Sequence, residues 1–307
     1  MNPFFKLILK LMSSPKIDIQ EDYQSIRKFQ QIFYAKPKRS YRILDEQIYS
    51  EDRSHKIDVR VFMPKKKKHE EPVLFIHGGG WVIGDIDSYT RACMNLADAL
   101  GRVVYSVDYR LAPEYPYPAG LEDCFRAAEI LLEQLEFTGP EDTSKWIIMG
   151  DSAGGNLAAV VSILLREKGL KQPYKQILLY PVTYWDHTEA SPFESIRRNG
   201  HDYGLTIDKI QSYMELYVPD ESERKNYKVA PLMAEDLSNQ PETLVITAEY
   251  DPLCDEGEAY ASALFKSGNK VRLHRVENAV HGFITYPKFA TPLDESFRIM
   301  NDFLTRD

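Results

Sequence analysis

Ser152 sits in Gly150-Asp-Ser-Ala-Gly154, between the apolar run Trp146-Ile-Ile-Met149 and a segment where Leu157, Val160, Val161, Leu164 and Leu165 recur at helical spacing. The run reads as a buried strand, so the serine falls on the turn from strand to helix. Glycines two positions to either side leave room for a cramped turn, whose central residue takes unfavourable dihedrals and lifts its hydroxyl out for reaction. The start of the helix behind it adds free N–H groups and a partial positive charge, as a forming oxyanion requires. Such a serine suits acyl transfer. That chemistry also needs a base to take the hydroxyl proton, a carboxylate to orient the base, and N–H donors for the tetrahedral oxyanion.

Donors are offered by His77-Gly-Gly-Gly-Trp81, which follows the apolar run Val73-Leu-Phe-Ile76. Three consecutive glycines expose backbone N–H groups with no side chain in the way, which makes Gly78, Gly79 and Gly80 candidates for the oxyanion hole, Gly79 and Gly80 being preferred. The N–H of Ala153 would complete it. A phosphate cradle fits poorly, because no Gly-Lys-Ser/Thr follows.

These residues need elements to position them. Strand patterns at Val73–Ile76, Val103–Val107, Trp146–Met149, Ile177–Tyr180, Leu244–Glu249 and Val271–Val276 alternate with helical patterns near Tyr89–Leu100, Leu121–Leu135, Asn156–Lys168, Glu256–Ser267 and Asp294–Leu304. Strand and helix taking turns predicts an α/β protein with a mostly parallel central sheet and helices on both faces. Ile43–Tyr49 and Ile57–Phe62 read as an edge hairpin ahead of it. The alternation breaks over residues 184–230, which are polar and aromatic-rich, with a helix near Asp208–Tyr217 and no strand. Residues 1–40 read as one or two helices with a loop around Ser13-Ser-Pro15. The expected organisation is therefore an N-terminal helical cap, 1–40, and a catalytic domain, 41–307, carrying an inserted cap segment, 184–230, over the sheet's C-terminal edge where ligands bind in open α/β sheets.

The carboxylate is expected just after the strand Leu244–Glu249, where Asp251 stands; Asp255 and Glu256 compete but lie further into the loop or the next helix. Of seven histidines, His55 and His69 border polar loops, His187 and His201 fall in the insertion, and His274 alternates within a strand. His77 more naturally shapes the glycine loop. His281, in a loop after Val271–Val276, completes the chain order Ser, Asp, His of an α/β-hydrolase. Trp81, Tyr184 and Trp185 are candidate walls of a substrate pocket, with packing of the cap as the equal alternative for aromatic residues there. Arg110 and Glu114 are read as ion-pairing braces of the site's floor.

The chain resembles the hormone-sensitive-lipase-like branch of the α/β-hydrolases, the bacterial carboxylesterases and acetyl esterases. The residues that carry the likeness are His77-Gly-Gly-Gly-Trp81, Asp108-Tyr-Arg-Leu-Ala-Pro-Glu114 with Pro116 and Pro118, Gly150-Asp-Ser-Ala-Gly-Gly155, Asp251-Pro-Leu-Cys-Asp-Glu-Gly257 and His281-Gly-Phe283. The resemblance implies a serine esterase acting on short acyl esters, with Ser152, Asp251 and His281 as its triad and no cofactor or metal. Residues 1–40 and 184–230 show no such likeness. An amidase or formamidase would share the triad, and a non-catalytic receptor on this fold would be expected to have lost part of it.

Composition is consistent with this. The 307 residues are 43% hydrophobic and 27% charged, ordinary for a globular protein with ample core material. A formal net charge of −8 argues against a general nucleic-acid binder, although residues 1–50 carry nine Lys/Arg against five Asp/Glu. Three widely spaced cysteines, Cys93, Cys124 and Cys254, read as free thiols in a reducing compartment, which points to the cytoplasm. The first twelve residues are interrupted by Lys6 and Lys10, and are expected to form an amphipathic helix over a protein surface, with no stable membrane association. Expected partners are a small-molecule ester and no nucleic acid, and the chain leaves room for a homodimer.

Overall fold

Val, Ile and Leu dominate the short runs that build the sheet, and in the computed structural model Val73–Ile76 and Lys175–Leu179 are buried at every position. The structure describes residues 9–10, 13, 18–33, 41–138, 145–286 and 291–306. Eight strands form one sheet: β1 (Ile43–Tyr49), β2 (Lys56–Phe62), β3 (Val73–Ile76), β4 (Val104–Asp108), β5 (Ile147–Asp151), β6 (Lys175–Leu179), β7 (Glu242–Tyr250) and β8 (Val271–Val280). Their order is β1-β2-β4-β3-β5-β6-β7-β8. The β1–β2 and β2–β4 pairs are antiparallel and all the others parallel. The hairpin and the doubly covered parallel sheet thus match the sequence reading.

The described helices are α1 (Ile19–Phe33), α2 (Thr90–Leu100), α3 (Ala119–Thr138), α4 (Ala153–Glu167), α5 (Glu194–Asn199), α6 (Ile207–Tyr217), α7 (Cys254–Lys266) and α8 (Thr291–Thr305). Helices α3, α4 and α7 bury their apolar stripes on one face of the sheet, and α2 and α8 on the other. This arrangement places the loops after β3, β5, β7 and β8 along a single edge, the C-terminal one. Those loops begin with His77, Ser152, Asp251 and His281.

Two of the differences from the sequence expectation have identifiable reasons. β8 runs on to Val280, beyond Val276, across a break in its register with β7 between Ala248 and Tyr250. Asn278 takes φ 56 there, an irregularity that disrupts the apolar–polar alternation and hides the end of the strand. Helix α5 is only six residues long, too short to leave a periodic signal. Within 184–230 no described residue is in a strand, as expected. Of the N-terminal amphipathic stretch only Leu9 and Lys10 fall within the described residues, with Leu9 buried; the rest of that expectation lies outside them.

Candidate active site

The turn after β5 shows why the sequence needs its glycines. Ser152 adopts φ 54, ψ −122, a conformation L-residues rarely take, and its backbone is held by Ser152 N–H donating to Leu179 O at 2.9 Å. A Cβ on Gly150 would come within 2.1 Å of Gly154 O, and one on Gly154 within 2.1 Å of Ile76 O. Neither neighbour can move, since both are backbone of packed elements. Gly154→Ala is therefore expected to cost more than about 3 kcal/mol in a urea titration, whereas Gly169→Ala, with φ +66 and open space around it, should cost about 1 kcal/mol. Equal, small effects at both positions would contradict this reading of the turn.

The three polar residues singled out from sequence meet at this turn. His281 Nε2 lies 2.8 Å from Ser152 Oγ, and His281 Nδ1 lies 2.7 Å from Asp251 Oδ2. Asp251 is fully buried, its Oδ1 accepting Leu253 N–H at 2.9 Å, while Asn199 of α5 donates to the Asp251 carbonyl. A carboxylate facing Nδ1 fixes the tautomer with the proton there, and leaves Nε2 free to accept the serine proton. The edge of Tyr180 packs on the imidazole at 4.8 Å. The competing acids are engaged elsewhere: Asp255 accepts Ser195 N–H, and Glu256 accepts the N–H groups of Thr183 and Tyr184 beside His187. His55, His201 and His274 face Asp123, Glu189 and Glu295 away from the serine.

The glycine loop requires one correction. Gly78 N–H donates to Asp151 Oδ1 at 2.8 Å, so it is unable to serve the oxyanion, and Gly78 leaves the set of candidate donors. Gly79 and Gly80, at φ +119 and +60, line the cavity next to Ser152, and Ala153 is the first residue of α4, whose N–H has no place in the helical ladder. The His77 ring is buried and stacked on Tyr109 at 4.4 Å, and burial pushes its pKa down to about 4. Neutral at physiological pH, it supports the loop from beneath.

The cavity over Ser152 measures about 250 Å³ and is bounded by Gln30 of α1, Trp81, Leu205, Ile210, Tyr213 and Leu253, among others. Trp81 lines this cavity and is stacked on Tyr217 at 4.4 Å. Tyr184 and Trp185 are not among the lining residues: Tyr184 packs against Trp185 and Phe193, and Trp185 lies under Lys225. They fill the insertion instead. Sequence reasoning missed Tyr213, whose ring sits where a Cβ on Gly80 would fall, 2.3 Å away, and Gln30, whose Oε1 accepts Gly84 N–H. Both come from segments outside the recognisable motifs. The brace expected of Glu114 is an ion pair with Arg27 of α1, which also donates to Val82 O and Ala112 O at 2.7 Å. Arg110 pairs with Asp123. A larger depression, about 690 Å³, lies between the β1–β2 turn and α3, is lined mainly by charged residues, the Arg110–Asp123 pair among them, and contains none of Ser152, Asp251, His281 or the glycine loop.

Asp151 is buried and, through that burial, its pKa is pushed up to about 6 from 3.8, against the opposing pull of hydrogen bonds from Gly78 N–H, Tyr89 and Tyr180 and of the nearby His281. Between those two values the native state holds a proton that the unfolded chain has released. Its contribution to stability is therefore full below pH 3.8 and is lost as pH rises through 6, on the order of 3 kcal/mol. The unfolding free energy of Asp151→Asn relative to the unaltered protein should shift in the variant's favour by up to that amount between pH 4 and pH 7. A difference independent of pH would contradict it.

Comparison with known proteins gives this geometry its context. A family profile described as the α/β-hydrolase fold matches residues 73–285. An arylesterase of Saccharolobus solfataricus is 38% identical over 80% of this chain and 78% of its own. An ethyl acetate hydrolase of Pseudomonas putida is 33% identical over 78% and 76% of the two chains. Among solved structures, an esterase of Pyrobaculum calidifontis superposes with a TM-score of 0.86 over the full length of both chains, at 32% identity. The α/β fold, the match that spans every candidate residue from His77 to His281, and the esterases among these relatives lead to one conclusion: the chain belongs to the hormone-sensitive-lipase-like family of α/β-hydrolases and is a carboxylic ester hydrolase.

Proposed function

We propose that this enzyme hydrolyses short-chain acyl esters, acetyl to about hexanoyl, of small alcohols through a covalent acyl-enzyme on Ser152. The observation that carries the reading is the unbroken chain Ser152 Oγ, His281, Asp251, at 2.8 and 2.7 Å, opening onto a cavity of only about 250 Å³. That volume lies below the range of roughly 300–1,000 Å³ usual for drug-sized ligands. The similarity to an ethyl acetate hydrolase supports a small substrate too.

In this mechanism His281 Nε2 takes the Ser152 proton as Oγ attacks the ester carbonyl, and the oxyanion is held by the N–H groups of Gly79, Gly80 and Ala153. The C–O bond to the alcohol breaks, with the proton passing from His281 to the leaving oxygen. A water then attacks the acyl-serine with the same base, releasing the carboxylic acid. Residues 1–40 and 184–230 act as the cap over a catalytic unit of 41–307, with Gln30, Leu205, Ile210 and Tyr213 setting the reach of the acyl or alcohol group.

A p-nitrophenyl ester series tests the size argument. The highest kcat/KM is expected between acetyl and hexanoyl, with a fall of about tenfold or more at decanoyl, since longer chains outgrow the cavity. A maximum at decanoyl would contradict the proposal. Among the described residues no helix is long and apolar enough to cross a bilayer.

A further inference from the structure

We propose that Asp151 is the positioning residue of the oxyanion loop: by gripping Gly78 it fixes where Gly79 and Gly80 present their N–H groups to a substrate on Ser152. The inference rests on the serine-esterase reading above. Asp151 is the last residue of β5, and its neighbour in sequence is the nucleophile; β3, which carries the glycine loop, is the adjacent strand. One side chain therefore joins the two sources of oxyanion donors, Ala153 after β5 and Gly79 and Gly80 after β3.

The grip is tight. Asp151 Oδ1 accepts Gly78 N–H at 2.8 Å, Oδ2 accepts Tyr89 Oη at 3.1 Å and Tyr180 Oη at 3.3 Å, and a Cβ on Gly78 would fall 2.8 Å from Asp151 Oδ2. Tyr180 extends the bracket to the third element. Its hydroxyl accepts Ile284 N–H at 3.2 Å, while its ring packs on His281 at 4.8 Å and on Phe283 at 4.9 Å. The glycine loop, the nucleophile turn and the segment that begins at His281 are thus tied to a single carboxylate. That carboxylate is 1% exposed and takes part in no ion pair among the described residues. A buried acid lacking a cation is costly, and its lone pairs go to the elements that shape the site instead.

Gly79 and Gly80 have no side chain of their own to hold them, so their aim depends on the anchor that precedes them. A displacement near 1 Å in a reacting geometry costs about 10²-fold in rate. The loss should appear in kcat, because the oxyanion exists only beyond the ground state.

The experiment compares Asp151→Ala, Asp151→Asn and Tyr180→Phe with the unaltered protein, using p-nitrophenyl butyrate and labelling by phenylmethylsulfonyl fluoride. Asn preserves an acceptor for Gly78 and should keep kcat within about fivefold. Ala removes it and should lower kcat by about 10- to 100-fold with KM changed less than about threefold. Tyr180→Phe, which keeps the packing, should fall between. Should the Ala variant fail to fold, Tyr180→Phe with kcat equal to that of the unaltered protein would still sink the bracket. A rise in KM at constant kcat, or equal losses in Ala and Asn, would overturn the positioning role while leaving Ser152 labelling intact. Unaltered protein that is not labelled at Ser152 would overturn the esterase reading and this proposal with it.

Discussion

Replacing Ser152 by alanine should lower kcat on a short p-nitrophenyl ester by about 10⁴-fold or more, with no loss of fold. The size follows from losing the nucleophile itself; what remains is binding and the oxyanion donors, which give only residual rate over water. Stability should change little, because the hydroxyl makes its side-chain contact with His281, and the strained backbone at φ 54 is held by its neighbours. An urea titration run beside the kinetics separates the two effects. Activity that survives the substitution would show that some other group attacks the ester.

The second large effect is expected at Asp251. Asp251→Asn keeps volume and shape but offers a mixture of donor and acceptor to His281 Nδ1, 2.7 Å away, and favours the tautomer with the proton on the wrong nitrogen. A fall in kcat of about 10⁴-fold is expected, with KM nearly unchanged. Asp255→Asn is the control. Its carboxylate faces Ser195 N–H and lies 3.6 Å from Arg198, so its loss should leave kcat within about threefold. If Asp255 proved the more damaging site, the assignment of the orienting carboxylate would be overturned.

Much of this was legible because the informative residues are constrained by backbone shape. A Cβ at Gly150 or Gly154 collides with main-chain atoms, so the pattern around Ser152 reports a turn that few other residues tolerate. The order Ser152, Asp251, His281 reports three strand ends on one edge of a parallel sheet, and such ends could be counted from alternating apolar runs. The cavity walls were less visible. Tyr184 and Trp185 looked like a pocket because they are aromatic, but aromatic residues pack an insertion equally well, and there they meet Phe193 and Lys225. Tyr213 and Gln30 were missed because helical periodicity tells which face is buried, not which loop it will cover. Gly78 stayed a candidate beside the preferred Gly79 and Gly80, since which N–H is already taken depends on Asp151, a residue 73 positions away.

The central claim is that Ser152 carries the acyl group. Unaltered enzyme mixed with p-nitrophenyl acetate and quenched within a turnover, then digested and weighed by mass spectrometry, should show one acetyl group on the peptide containing Ser152 and none elsewhere. Turnover with no acetylated peptide, or with the acetyl group on another residue, would contradict the account.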